Sequence, residues 1–529
     1  MYPQIKTRNN YGNKVDAIRK KLNRYSNKSF LEMLYVHFQS LRKPENGLIS
    51  NFPWCCFLAL KWKYTGNVNK NPTDINQQQF NSIINRIYEL QSDASDLQKT
   101  EGIELELRRM IIGQVFYQSS FHSCMHSLVR QYQWHCECDS PWFRKTFLAQ
   151  TGLKLEDYYT ISFYLLTIVI NIKETESTCI NVRDLIVPLY PYFGEGLLRK
   201  YISLLSLRET ELAGFFSGYS AERQHVSEYF EETPLLRKPF LMENNFLVTL
   251  SKNLLLSSFS SIVPMVLKEH NSGQYKDKLG PLVERYLESY IRQAFPYLVT
   301  EEDITLIYRD NNIENVMVDY LLREGDGYVF IDSKAIEPHR AVKTSVDPIH
   351  LKGKLKSSFE HGIIQAQGCC NQINTIEKRA PSEKDSIIIV VNQDHFISSG
   401  TFLNNNISPG LYLEIKSKYG YLPVALERVY YLTVDELEYL IDVCKDKKIA
   451  ITDIIDKASS DDAVIHKRKM NFGMHLASYS PANLADRQPV RTGVLALIHK
   501  IGEIKKCSSG FWDGQLDKYL KILHSLTAR

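Results

Sequence analysis

The chain has 529 residues, of which 44% are hydrophobic and 23% charged, an ordinary balance for a soluble globular protein with several cores. Its net charge of +4 permits a nucleic-acid partner without requiring one. The ten cysteines include the adjacent pairs Cys55-Cys56 and Cys369-Cys370, which does not suit a secreted disulfide framework, so we expect free thiols and a cytoplasmic protein.

At roughly 100–200 residues per domain the length predicts about three domains. The opening residues, MYPQIKTRNNYGNK, contain no apolar segment, and no signal peptide is expected. Residues 1–270 read as a mainly helical region. Apolar residues recur at helical spacing over Phe30 to Leu41, Phe80 to Leu90, Ile103 to Val129 and Leu197 to Leu207. The most apolar run, Tyr158 to Ile170, is shorter than the roughly 20 residues that span a bilayer, which predicts a buried helix and no membrane partner.

Within this region His122, Cys124, His126, His135, Cys136 and Cys138 crowd together. Zinc takes such ligands, but the spacing fits no strong zinc motif, and buried thiols with ordinary histidines are the favoured reading. Trp54, Trp62, Trp134 and Trp142 offer base-stacking surfaces but are more often core residues. Glu222-Arg223-Gln224-His225 reads as a charged loop without assignable chemistry.

The polar stretch His270 to Lys278 predicts a linker or exposed loop and a domain boundary. Beyond it the texture changes. Gly280 to Phe295 reads as a helix, followed by strands at Ile304 to Tyr308, Asn315 to Leu322 and Tyr328 to Ile336. A helix over Gly362 to Ile376 and a buried strand over Ser386 to Asn392 complete an α/β core spanning 279–400. Residues 401–529 read as a mixed, then helical, extension packing on that core. A strand is expected near Val429 to Leu432, a helix capped by Thr433 and Glu436, and loops at Ala458 to Asp462 and Ser478 to Pro489.

The chemistry concentrates in Glu314 to Arg340. Arg323-Glu324-Gly325-Asp326-Gly327 predicts a hairpin turn. With Gly325-Asp326 as the loop, Asp319 falls opposite Asp332, where Cβ atoms lie about 4.5–5.5 Å apart. Two facing carboxylates on apolar strands repel and resist desolvation, and a divalent cation relieves both costs. Lys334 shares a strand face with Asp332 and could orient water or offset transition-state charge. Glu284 and Glu288, four apart on one helix face, are both candidates to approach the cation.

This arrangement resembles the PD-(D/E)xK phosphodiesterase superfamily of restriction enzymes, junction resolvases and repair nucleases, over about Leu279 to Asn392. Gly280-Pro281-Leu282-Val283-Glu284 matches the family's pattern for its helical acid, which favours Glu284 over Glu288. The metal-binding Asp maps onto Asp319, and the D/E-x-K element onto Asp332-Ser333-Lys334. The backbone carbonyl of Ser333 is implied as a further ligand. The following helix frequently carries a Gln, for which Gln365 is preferred over Gln367 and Gln372. Val318 stands where the family often has Pro. The Gln-x-x-x-Tyr pattern of one exonuclease branch is absent, since Cys369 follows Gln365 at that spacing.

The resemblance implies a restriction-endonuclease-like mixed sheet flanked by helices, one or two Mg²⁺ ions (with Mn²⁺ as substitute), and hydrolysis of a phosphodiester in DNA or RNA. Arg340, Lys343, Lys352, Lys354 and Lys356, with His339 and His350, form a segment suited to gripping phosphates, the bland alternative being a solvated surface loop. A nuclease core with a large helical extension also looks similar to bacterial anti-phage effectors. That likeness implies tRNA as a substrate beside DNA, and a phage-derived protein as trigger. The competing expectation is a non-enzymatic module that binds nucleic acid or a partner on a nuclease-like fold. No feature of the sequence selects an oligomeric state.

Overall fold

A computed structural model describes residues 3–39, 52–67, 69–95, 102–118, 121–171, 177–219, 226–313, 316–479 and 488–527. The chain divides into two compact units. The first comprises Met1–Gln98, Gly113–Ser272 and Thr492–Arg529, and the second Lys99–Ile112 and Gly273–Arg491.

The first unit is mainly helical, as expected. Its Pro53–Tyr64 helix (PWCCFLALKWKY) is buried along its whole length, and the Lys61 ammonium is satisfied by Glu228 at 2.8 Å. The Tyr158 to Ile170 run lies inside the Leu155–Asn171 helix, most of whose residues are buried. Among the described residues no helix is long and apolar enough to cross a membrane. None of the ten cysteines forms a disulfide.

This unit also holds a four-stranded sheet that sequence periodicity does not reveal. It contains β1 (Thr178–Asn181), β2 (Ser206–Leu207), β3 (Phe240–Glu243) and β4 (Phe246–Thr249), in the order β1-β4-β3-β2. The hairpin β3–β4 turns through Asn244-Asn245, with Asn244 left-handed at φ 50°. An Asn-rich two-residue loop suits that turn, but strands this short carry almost no alternation.

The second unit is an α/β structure around a five-stranded mixed sheet in the order β5-β6-β7-β8-β9. Strands β5 (Val299–Thr300), β6 (Tyr320–Glu324) and β7 (Gly327–Lys334) pair antiparallel. Strands β8 (Ser386–Val391) and β9 (Val429–Thr433) then add in parallel to β7. The β8 sequence SIIIVV is buried throughout, as a continuous apolar run in the interior of a sheet requires. The His361–Ile376 helix lies between β7 and β8 in the chain and packs its Ile363, Ala366, Cys369, Cys370 and Ile373 into the core.

Several expectations are corrected. Residues 401–529 are not one extension: β9 completes the sheet of the second unit, and Thr492–Arg529 belongs to the first. Residues 270–278 are helical rather than a loop, but two helices meet at a kink at Asn271 (φ −159°, ψ 99°), and the two units divide in this stretch, between Ser272 and Gly273, where the boundary was expected. Tyr275, Leu279, Val283 and Leu287 are buried at a spacing of four, and that stripe outweighs the polar composition around it.

Residues 304–308 form no strand. They lie in the Glu301–Asp310 helix, where Thr300 and Asp303 make a capping box and Ile304 and Tyr308 are buried one turn apart. Residues 316–319 precede β6 rather than joining it, and Asn315 lies outside the described residues. Residues 458–462 end the Ile451–Asp462 helix, whose Ile451, Ile454, Ile455 and Ala458 face the core. Of the Ser478 to Pro489 loop, residues 480–487 lie outside the described residues, and Gln488–Ser508 is helical. The capping box at Thr433 and Glu436 forms as read.

Candidate active site

The β6–β7 hairpin turns at Gly325-Asp326, with Gly325 at φ 63°, a value that glycine reaches without strain. Its register runs from Glu324↔Gly327 to Tyr320↔Ile331, the pairing read from the sequence. The next rung would set Asp319 opposite Asp332. The ladder stops one pair short of it, and the Asp319 carboxylate accepts the Ser333 N–H at 2.6 Å. Within a strand the N–H and C=O of one residue project to the same side. The Ser333 carbonyl therefore also faces the Asp319 side.

Asp332 has no solvent exposure. One oxygen lies 2.7 Å from the Lys334 ammonium, while Oδ1 has no hydrogen-bond partner among the described residues. Burial, and then the charge of Asp319, push the Asp332 carboxyl up to about 7, against the opposing pull of Lys334. Asp319 is also raised, by burial, although the Ser333 N–H and Lys334 both favour its charged form.

Gln365 joins this group from the His361–Ile376 helix. Its Oε1 accepts from Lys334 Nζ at 3.3 Å, and its amide donates to the Met317 carbonyl just before Asp319. Gln367 is held elsewhere, with both ends of its amide on the Val424 backbone. Gln372 lies about 10 Å further along the helix axis, at 1.5 Å per residue. The same helix approaches β7 closely at Gly362, where a Cβ would stand 3.3 Å from Asp332 Oδ2 and 3.0 Å from Ile389 Cδ1.

Glu284 reaches the group from the Lys252–Ile291 helix, which Tyr320 anchors by donating its hydroxyl to the Glu284 carbonyl at 2.5 Å. The Glu284 carboxyl is raised by burial, then by Asp319 and Glu301, with Lys334 opposing. Glu288 instead pairs with Arg292 at 2.8 Å. Glu301 is the residue sequence reading missed. It begins the helix after β5, and its carboxyl is raised by burial and then by Asp319. Its signal was hidden because the segment after it reads as a strand.

Among the described residues no three of these carboxylates bring oxygens within 4.8 Å of one another. Two protein carboxylates are what Mg²⁺ ordinarily takes, the remaining positions going to water and phosphate. Asp332 with its unpartnered Oδ1, Asp319 beside it and a carbonyl facing the same side form an oxygen donor set that fits such an ion.

The basic segment is helical rather than a loop, folded into Arg340–Thr344 and Pro348–Leu355. Asp347 caps the second of these, and Leu351 and Leu355 bury one turn apart. Arg340, Lys354 and Lys356 are exposed, with Lys343 and Lys352 half-buried. Burial, then Lys354, His350 and Arg340, lower the His339 imidazole. Fully buried Arg108 fastens this segment to the β8 loop by donating to the carbonyls of Val342 at 2.9 Å and His395 at 2.8 Å.

Among the described residues the remaining candidates do not build a site with one another. Cys124, His126, His135, Cys136 and Cys138 include no three that gather ligand atoms together, and the His122 side chain and residues 222–225 lie outside the described residues. His135 is buried against Tyr159, 2.7 Å away, and burial drives its imidazole down to about 3. Trp54 and Trp62 are core residues, the latter donating to Glu228.

No protein-family model, curated protein or solved structure matches this chain.

Proposed function

We propose that the second unit is a Mg²⁺-dependent nuclease with a restriction-endonuclease-like core, hydrolysing phosphodiester bonds in DNA or RNA. The observation that carries this reading is the Asp332 carboxylate: wholly buried, with one oxygen unpartnered, beside Asp319 and in contact with Lys334. A purely structural aspartate so placed would cost stability, since a buried ionised group needs its lone pairs satisfied. Asp319, Asp332 and the Ser333 carbonyl would hold the ion, with Glu284 approaching from the helix. When bound, Mg²⁺ supplies Lewis acidity and lowers the pKa of coordinated water.

The chain's own residues supply positioning and charge. Lys334, held between Asp332 and Gln365, places an ammonium where a scissile phosphate gains negative charge. Gln365 ties that ammonium to the segment leading into Asp319. The basic helices 340–356 give phosphates a surface on which to register. The first unit would supply substrate recognition or sensing, as in anti-phage effectors, with a phage-derived protein as trigger.

Purified protein with Mg²⁺ or Mn²⁺ is assayed against plasmid, single-stranded DNA and total tRNA. Cleavage by the wild type that is lost in Asp332→Ala and in EDTA supports the reading and identifies the substrate class. Equal cleavage by Asp332→Ala contradicts it. Metal-independent binding without cleavage of any substrate favours a binding module.

A further inference from the structure

We propose that the first unit carries a nucleotide-binding pocket in which a base stacks on Trp512 and its phosphate pairs with Arg183; the proposal goes beyond the nuclease reading and does not depend on it. A cavity of about 320 Å³ opens between the start of the Arg183–Leu205 helix and the turn that leads into the Leu516–Thr527 helix. That volume lies at the small end of the range for ligand pockets, roughly 300–1,000 Å³. Arg183, Trp512, Gln515, Leu516 and Tyr519 are among its lining residues. Both segments belong to the first unit.

The aromatic wall is fixed without a ligand. Trp512 donates its indole N–H to the Val187 carbonyl at 2.9 Å. The Gln515 N–H returns to the Trp512 carbonyl at 3.0 Å and closes the turn, where Gly514 takes a left-handed φ of 68°. Tyr190, Phe511 and Tyr519 surround the indole at centroid distances of 5.5, 5.0 and 5.7 Å, with interplanar angles of 46°, 79° and 88°. Among the described residues no ring stacks in parallel on this half-buried indole. Stacking on such a ring is how proteins hold unpaired bases, because every base has a π-face.

The polar side chains of the lining are uncommitted. Arg183 donates its backbone N–H to Asn181 Oδ1 at 2.9 Å, while its exposed guanidinium has no hydrogen bond or ion pair among the described residues. The Gln515 amide is free in the same sense. Its paired donor and acceptor complement an edge that bears one of each, as adenine does at N6 and N7. Arg183 is the one charged group of the lining among the described residues, and Asp184, Asp513 and Asp517 stand outside it. The cavity therefore suits a flat ring joined to an anion, and a guanidinium is matched to phosphate. Lys518 adds positive charge beside the aromatic wall, 4.5 Å from the Phe511 ring and 5.7 Å from that of Tyr190. Seating the last helix needs only the Trp512–Val187 bond, which leaves the free guanidinium and amide on one cavity unexplained without a ligand.

The test titrates the full-length protein, in EDTA, with adenosine, AMP and a short single-stranded oligoadenylate by calorimetry. The wild type is expected to bind AMP or the oligoadenylate saturably and with quenching of tryptophan fluorescence. The tighter of the two identifies a free or a strand-borne nucleotide as the source. Arg183→Ala should bring AMP down to the affinity of adenosine. Trp512→Leu should weaken every ligand by about 5- to 100-fold, the loss of one stacked base. Circular dichroism checks that the variants fold; should Trp512→Leu fail to, Arg183→Ala, which removes an exposed and unpartnered side chain, together with the quenching decides. Absence of saturable binding, or an Arg183→Ala protein that binds AMP and the oligoadenylate as the wild type does, overturns the proposal. Neither outcome bears on the nuclease reading, whose controls act in the second unit.

Discussion

The Lys334 ammonium sits 2.7 Å from Asp332 Oδ2, although the two residues are neighbours on one strand face rather than partners across the sheet. Both project from the last residues of β7, where β6 has already ended and only β8 continues beside them. The missing rung leaves space that the Asp319 side chain occupies, and the Gln365 amide closes the other side. One ammonium does not satisfy two buried carboxylates, and that imbalance sets the pH behaviour of the site.

The metal-free protein should lose stability as pH rises. Asp332 is pushed up to about 7 in the fold, against about 3.9 in an unfolded chain. The folded state therefore holds this proton more tightly. Its contribution is full below about pH 4 and is lost as pH climbs through 7. Glu284, Glu301 and Asp319 are raised too and act in the same direction. Thermal melts in EDTA should show a higher Tm at pH 5.5 than at pH 8. Asp332→Asn should flatten part of that slope and stabilise the pH 8 protein by about 1–3 kcal/mol.

Cation binding should release a proton near neutrality. A ligand that must displace the Asp332 proton binds about tenfold more weakly for each pH unit below 7. Calorimetric Mg²⁺ titrations at pH 6.5 in buffers of different ionisation enthalpy should give buffer-dependent heats, and Asp332→Asn should remove that dependence.

Lys334 and Gln365 should separate in effect. Lys334→Ala removes both the cation offered to phosphate and the partner of Asp332, and is expected to abolish cleavage. Gln365→Ala leaves the ion pair but frees the ammonium, so a loss of roughly 10–100-fold is expected, as for other supporting groups around metal sites. Single-turnover cleavage rates with saturating metal distinguish the two.

The basic helices should reveal themselves through salt. In a cleavage-dead Asp332→Asn background, replacing Lys352, Lys354 and Lys356 with Gln should weaken nucleic-acid binding uniformly across sequences. The slope of log affinity against log salt should fall by about one for each phosphate that is no longer neutralised. An unchanged slope would place the nucleic acid elsewhere.

The parts of the site legible in the sequence are those fixed by local rules. Gly325-Asp326 sets a two-residue turn, the turn sets the register, and the register runs to Tyr320↔Ile331, one rung short of Asp319 and Asp332. Thr433 and Glu436 form their cap for the same reason. Glu301 was not legible because its place depends on β5, a two-residue strand whose partner lies 20 positions on, and on a helix whose Ile304-Thr305-Leu306-Ile307-Tyr308 imitates a strand. The His270 to Lys278 stretch was legible as a boundary, since the units divide between Ser272 and Gly273, but not as a helix. Its composition reads as a loop, yet Tyr275 and Leu279 bury one turn apart and keep it helical. The sheet of the first unit was missed because its strands are two to four residues long.

The most direct measurement is a crystal of the wild-type protein soaked in Mn²⁺, with data collected for the anomalous signal of manganese. The expected result is a peak within coordination distance, about 2.0–2.3 Å, of oxygens of both Asp319 and Asp332, absent from Asp332→Asn crystals. An empty Asp319–Asp332 site at millimolar Mn²⁺, with the Lys334–Asp332 pair undisturbed, would contradict a metal-dependent active site at this position.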